Sequence, residues 1–127
     1  MSHTVSGQIA LDSAKIFKDF QILGRTTAGA STHFTDLIVE HCPTFSISRN
    51  DLDELHSIAE KSRTKKHRPT KFGQDNIFML GFLKGKEERI MMEASGRLIV
   101  NFANYTEYWP TGEHLERLKN LIEKWKK

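Results

Sequence analysis

The region that limits the fold most runs from Ile77 to Ala103, because apolar stretches and turn residues alternate there three times. Gly85 and Gly96, each beside small or charged residues, are typical of the tight turns that connect antiparallel strands. The pattern therefore predicts a three-stranded antiparallel meander. Its predicted strands are Ile77 to Leu83, Arg89 to Ala94 and Arg97 to Ala103.

One face of this meander is expected to be apolar and to need a cover of helices, as is usual for antiparallel sheets. Both faces of its first strand are apolar, so the orientation of that strand stays open. Met91 is expected on the outer face beside Ile99, either in an exposed patch or beneath a helix. The residues expected on the inner face are Phe78, Leu80, Phe82, Ile90, Met92, Leu98, Val100 and Phe102.

Four helices are predicted where apolar residues recur every three or four positions. The first two end where a helix breaker follows, at Gly24 and at Pro43. Asn50 is a candidate cap for the third helix, and the fourth begins near Thr111. The predicted inner stripes are Ile16, Phe17, Phe20 and Leu23; Phe34, Leu37, Ile38 and His41; Leu52, Leu55, Ile58 and Ala59; and Leu115, Leu118, Ile122 and Trp125.

Two short strands are predicted in the N-terminal half, an edge strand from Val5 to Leu11 and a second from Phe45 to Ser48. The length of 127 residues fits one domain. We therefore predict a single α+β domain over residues 1–127. It would combine N-terminal helices and one or two short strands with a three-stranded antiparallel meander and a C-terminal amphipathic helix packed on the sheet.

The chain has the features of a cytoplasmic protein. It begins without the apolar stretch of a signal peptide. No apolar run approaches the roughly 18 residues that a membrane-spanning helix needs. Cys42 is the only cysteine, which excludes an internal disulfide. We expect a cytoplasmic protein that makes no membrane contact.

Positive charge is concentrated in the segment from Lys61 to Lys71. Six of the 19 lysines and arginines lie there, with no acidic residue among them. Because the net charge is only +3, the rest of the chain is acidic overall. Pro69 and Gly73 predict a loop, which is either merely solvated or in contact with an anionic partner. The candidate contact residues are Lys65, Lys66, His67, Arg68 and Lys71.

Three aromatic residues, Tyr105, Tyr108 and Trp109, are expected in the connection between the last strand and the last helix. Tyr and Trp are favoured at binding surfaces because they offer a large contact area with few torsions to freeze. They also commonly seal the end of a hydrophobic core. We include all three in the predicted binding site, together with the basic segment.

Residues with catalytic or metal-binding chemistry form no known motif. His33, Asp36 and Glu40 share a helix face, but they lack the spacing of zinc-binding helices and no cysteine pair accompanies them. Neighbours in a helix, such as His41 and Cys42, point about 100° apart and do not form a catalytic pair. We expect no metal, no cofactor and an inert thiol. An enzyme site formed only in three dimensions would draw on His33, Asp36, Glu40, Cys42 and His67.

The sequence thus favours binding over catalysis. Toxin-immunity proteins and phage anti-defence proteins have a similar size and a similar lack of catalytic motifs, a similarity of architecture that transfers no residue. We predict a non-enzymatic bacterial or phage protein of the inhibitor or immunity type, which occludes a protein partner such as a toxin with an acidic surface. The alternative is a nucleic-acid-binding module, in which the loop 61–71 contacts phosphates and the aromatic residues stack on bases.

Overall fold

The computed structural model describes residues 9, 11–17, 32–66 and 76–126. These residues form seven strands and three helices. In chain order the elements are β1 (Ser13–Phe17), α1 (Thr32–His41), β2 (Thr44–Ser46), α2 (Arg49–Glu60), β3 (Arg63–Lys66), β4 (Asn76–Leu83), β5 (Lys86–Glu93), β6 (Ile99–Asn101), β7 (Thr106–Trp109) and α3 (Gly112–Lys126).

All seven strands belong to one antiparallel sheet, in the order β2-β1-β4-β5-β6-β7-β3. The predicted fold, built on a three-stranded meander, is therefore wrong. Strands β4, β5 and β6 do pair consecutively, but β1 and β2 extend the sheet on one side and β7 and β3 extend it on the other. The result is a sheet-rich α+β fold.

The first predicted helix is also wrong, because its opening residues lie in β1. Ile16 pairs with Met79 of β4, and Phe17 pairs with Phe78. Ile16 and Phe17 are both buried, on opposite faces of the sheet, and a strand covered on both faces lacks the alternation that identifies strands in a sequence. The other positions of this helix and most of the predicted strand from Val5 to Leu11 lie outside the described residues.

Helices α2 and α3 cover one face of the sheet. All four predicted inner residues of α2 are buried, and Ser48, not Asn50, caps the helix by accepting a hydrogen bond from the amide of Asp51 at 3.1 Å. In α3, Leu121 joins three of the predicted residues in the core, whereas Leu115 is only partly buried. The sheet residues in this core are Ala14, Ile16, Ile77, Met79, Ile90, Met92, Ile99 and Tyr108.

Helix α1 covers the opposite face of the sheet over β1, β4 and β5. Ile38 and Cys42, from the helix and the residue after it, pack against Phe17 and Phe78. The rings of Phe17 and Phe78 lie 5.7 Å apart between centroids. The sheet is thus apolar on both faces, which explains why one apolar face could not be assigned to β4 from the sequence.

Met91 also belongs to the core beneath α1 and has no exposed surface. It pairs with Val100 across β5 and β6, and Met92 pairs with Ile99 on the other face. The prediction that Met91 lies beside Ile99 is therefore wrong. The eight residues predicted for a single inner face are divided between two faces, since Ile90 and Met92 belong to the core beneath α2 and α3.

Two polar clusters join α2 to α3, and we call them the α2–α3 junction. Asp51, only 9% exposed, accepts hydrogen bonds from Lys124 Nζ at 2.8 Å and from Trp125 Nε1 at 3.1 Å. Glu54 and the Arg117 guanidinium form two hydrogen bonds, of 2.6 and 2.8 Å. The hydrogen bond from Arg117 lowers the pKa of the Glu54 carboxyl, so this group stays ionised.

The residues just before β1 cross the face that α2 covers. Leu11 lies against Gly81, where a Cβ would collide with the leucine side chain. The Leu11 amide donates a hydrogen bond to His56 Nε2 at 3.0 Å, so this imidazole acts as an acceptor and is neutral. Burial, followed by the nearby charge of Arg49, lowers the pKa of His56 and favours the same neutral form.

Candidate functional site

The basic segment and the aromatic cluster meet at one edge of the sheet. Strands β3 and β7 pair antiparallel, with Arg63 opposite Trp109 and Lys65 opposite Glu107. Lys66, the last residue of β3, lies opposite Thr106. Two groups of predicted contact residues that are far apart in the sequence are therefore neighbours in the sheet.

The part of the basic segment that the structure describes is an edge strand and not the predicted loop. All four residues of β3 are exposed, and within the described chain they pair only with β7. The strand contains no apolar residue, so hydrophobic periodicity could not reveal it. Such a sequence is tolerated at an edge, where charged side chains face solvent.

Trp109 is partly buried beside two cations. The Lys65 ammonium lies 5.5 Å from the centroid of the indole ring, and the Arg97 guanidinium lies 5.4 Å from it. Both distances are within the range of cation–π attraction. The indole Nε1 donates a hydrogen bond to Glu107 Oε1 at 3.0 Å. These contacts hold Trp109 and Lys65 together on one face of the sheet.

The acidic groups of this region are buried, whereas its cations are exposed. Glu93 and Glu107 are only 4% and 3% exposed. Glu93 accepts two hydrogen bonds from the guanidinium of Arg97, at 2.9 and 3.1 Å. The solvent-facing side therefore presents mainly positive charge. We call this surface the basic edge, formed by Arg63, Lys65, Lys66, Arg97 and Trp109.

The two tyrosines of the aromatic cluster are in different surroundings. Tyr108 has no exposed surface in the core beneath α2 and α3, and burial raises the pKa of its hydroxyl. Tyr105 is 59% exposed in the turn between β6 and β7 and has a φ of +55°. The amide of Thr106 donates to Asn104 Oδ1 at 3.2 Å and so helps to fix this turn. The cluster does not form the connection to α3 that the sequence predicted, because two of its members belong to β7.

Three other predicted contact residues, His67, Arg68 and Lys71, lie outside the described residues, which resume at Asn76. The side chain of His33 is also outside the described part of the chain. The candidate site therefore consists of residues of β3, β7 and the turn before β6.

The groups with catalytic or metal-binding chemistry are spread apart. Asp36 pairs with Arg89 of β5 at 2.7 Å, and Glu40 lies 3.7 Å from His41. His41 is exposed, so its predicted place on the apolar face of α1 is wrong. Cys42 is buried, at 8% exposure. In the described ranges no three residues of ligand type are grouped as a metal site requires.

Three residues that shape the basic edge were not predicted from the sequence: Glu93, Arg97 and Glu107. A signal existed for the first two, because they flank the predicted turn at Ser95-Gly96 and such positions lie close together in a hairpin. Nothing in the sequence indicated that Glu107 is buried, since a single acidic residue within a strand usually faces solvent. Its burial depends on strands that pair across the sheet.

Within the described residues, no helix has both the length and the apolar character that crossing a bilayer requires. No family model matches the sequence, and comparison with curated proteins and with solved structures found no match.

Proposed function

We propose that this chain is a non-enzymatic binding protein that docks an acidic surface of a protein partner on the basic edge and so occludes that partner, as an inhibitor or immunity protein does. One observation carries the proposal: the separation of charge at the basic edge. Arg63, Lys65 and Lys66 are exposed on a regular strand, whereas the neighbouring Glu93 and Glu107 are buried. A partner approaching this edge meets cations first.

The position of these cations on a strand favours specific docking. A paired backbone fixes where each side chain begins, so binding loses less conformational entropy than it would on a flexible loop. Lys65 is further ordered by its contact with the ring of Trp109. Complementary charge also steers the encounter between two proteins and raises the association rate.

Nucleic acid is less favoured than protein as the partner of this surface. Binding to single strands relies on aromatic faces that are open for stacking on bases. Tyr108 is buried, and two cations lie near the ring of Trp109. Tyr105 is the one member of the aromatic cluster that is largely exposed.

The test compares two double variants of the full chain that change the net charge equally. Arg63→Glu with Lys66→Glu reverses two charges of the basic edge. Lys86→Glu with Lys119→Glu reverses two exposed lysines on β5 and α3. Each tagged chain captures proteins from extract of the cells that naturally make it, both before and after nuclease treatment. The captured partner is then titrated by calorimetry.

We expect the parent chain and the Lys86/Lys119 variant to bind the same partner with similar affinity. The Arg63/Lys66 variant should bind on the order of tenfold more weakly or worse, because the reversed charges repel an acidic surface that approaches this edge. Equal binding by the two double variants would refute the proposal. Capture that occurs only before nuclease treatment would assign the surface to nucleic acid instead.

A further inference from the structure

We infer that the partner binds by strand addition: an extended acidic segment pairs with the free side of β3 and becomes the next strand of the sheet. This inference rests on the proposed function and specifies how the partner is held. Three features carry it: the open backbone of β3, the alternation of its side chains, and the contrast with the opposite edge strand.

Within the described ranges, one side of the β3 backbone has no paired strand. Among the described residues β3 pairs only with β7, and all four of its residues are exposed. In an antiparallel pair, alternate residues direct both their N–H and their C=O groups away from the paired strand. Half of the peptide groups in β3 can therefore receive a further strand, and main-chain hydrogen bonds of this kind give strand addition its affinity.

The side chains of β3 indicate which kind of partner segment would fit. Arg63 and Lys65 lie on the sheet face that carries Trp109, because they are opposite Trp109 and Glu107 in the ladder. Thr64 and Lys66 lie on the other face. Opposite charges attract when they face each other across neighbouring strands. The matching segment carries two acidic residues separated by one position, opposite Arg63 and Lys65.

The other edge of the sheet lacks these features. Strand β2 has three residues and no charged side chain, and its central residue, Phe45, packs against the core. A second copy of this chain is also a poor occupant of β3, because pairing β3 with itself would set lysines and arginines against one another. An acidic segment of a different protein is the occupant that the charges favour.

The probe is a synthetic peptide of about ten residues that alternates Glu and Val and has blocked ends. It is titrated at low salt into the ¹⁵N-labelled full chain, and amide signals and hydrogen exchange are followed by NMR. We expect the signals of β3 to shift and amide exchange on its free side to slow at least several-fold, while β2 is unaffected. Saturating peptide that leaves exchange in β3 unchanged would overturn strand addition.

Two N-methylated forms of the peptide separate hydrogen bonding from charge. One is methylated at every Glu amide and the other at every Val amide, so both keep the charge of the parent. A strand has two edges, and only one of them pairs with β3. We expect one form to bind roughly tenfold more weakly or worse and the other to bind like the parent peptide, because two or more hydrogen bonds are lost in the first.

The outcomes distinguish this inference from the proposed function. If both methylated forms bind like the parent but binding still weakens in the Arg63/Lys66 variant, strand addition is wrong and docking by charge stands. If the Arg63/Lys66 variant and the Lys86/Lys119 variant bind the parent peptide equally, both proposals fail. A ten-nucleotide single-stranded DNA that shifts the β3 signals at lower concentration than the peptide would also overturn both.

Discussion

Charged residues are used in opposite ways at the α2–α3 junction and at the basic edge. At the junction, each carboxylate is matched by a donor on α3: Asp51 bonds Lys124 and Trp125, and Glu54 bonds Arg117. At the basic edge, the two carboxylates are buried and the cations of β3 face solvent. Matched charges contribute to folding, whereas surplus charges on a surface remain available to a partner.

This difference divides the molecule into two regions with separate expected phenotypes. Substitutions on the face beneath α2 and α3 should change stability and leave binding intact. Substitutions of Arg63 and Lys66, two exposed cations of β3, should change binding and leave stability nearly intact. Variants in each region can test that division.

The largest loss of stability is expected for Gly96→Ala in the turn beneath α3. Gly96 has a φ of +83°, and an added Cβ would lie 2.5 Å from the carbonyl oxygen of Leu115. The left-handed φ disfavours alanine, and the added Cβ collides with the backbone of α3. Together these effects should lower the free energy of unfolding, measured with urea, by roughly 2–4 kcal/mol. Gly85→Ala is the control, because its φ is +82° and no atom lies within 4 Å of the added Cβ.

The control should lose only about 1 kcal/mol, from backbone strain alone. If the two glycine variants lose the same stability, the close contact between α3 and the β5–β6 turn is wrong. Partner binding by both variants should match that of the parent under conditions in which the chains are folded.

A smaller loss is expected for Asp51→Ala at the α2–α3 junction. The change removes the acceptor of Trp125 Nε1 and of Lys124, and the indole N–H is then left buried without this partner. We expect a loss of roughly 2 kcal/mol in urea unfolding. Asp53→Ala, which removes an exposed carboxylate paired with Arg49 at 2.9 Å, should lose about 0.5 kcal/mol or less. Similar losses in both variants would mean that the junction is no more than a surface ion pair.

Sequence patterns identified α2 and α3 because each of these helices has one apolar stripe. The stripe of α2 was predicted residue by residue, since polar residues surround it on the other side of the helix. β1 was mistaken for a helix because it is covered on both faces, and β3 was mistaken for a loop because neither of its faces is apolar. Periodicity identifies elements with one buried face. It fails for a strand that is buried on both faces and for a strand that is exposed on both faces.

The candidate site shows a second limit of local patterns. The sequence singled out Lys65 and Trp109, but it could not predict that β3 pairs with β7 and brings them together. Such pairing depends on which strands lie side by side in the folded sheet. That information lies in contacts between distant residues and not in any single window of the sequence.

Acid should weaken the contact between His56 and the segment before β1. The pKa of His56 is lowered from its ordinary value of 6.5, so the unfolded chain takes up the proton more readily than the folded chain. The stability that neutral His56 contributes is therefore fully present above about pH 6.5, and it is lost as the pH falls through the pKa of His56 in the folded chain. Protonation also removes the acceptor for the Leu11 amide.

Urea unfolding at about pH 7.5 and pH 5.5 measures this effect. His56→Gln offers an amide oxygen as a neutral acceptor that does not titrate, so its stability should depend less on pH than that of the parent. His41→Gln, at an exposed position, is the control, and its stability should change with pH as that of the parent does. If the stability of His56→Gln changes with pH as much as that of the parent, the His56 imidazole does not cause the pH dependence.

The smallest change in stability is expected for the Arg63→Glu and Lys66→Glu double variant, within about 0.5 kcal/mol of the parent, because both side chains are exposed. Lys65→Glu should lose more, about 1 kcal/mol, because it sets a carboxylate opposite the buried Glu107 and removes a cation from the ring of Trp109. If the double variant instead loses more than Lys65→Glu, the cations of β3 stabilise the sheet edge itself. The basic edge and the α2–α3 junction would then use charge in the same way, and the surplus charge would no longer indicate a partner.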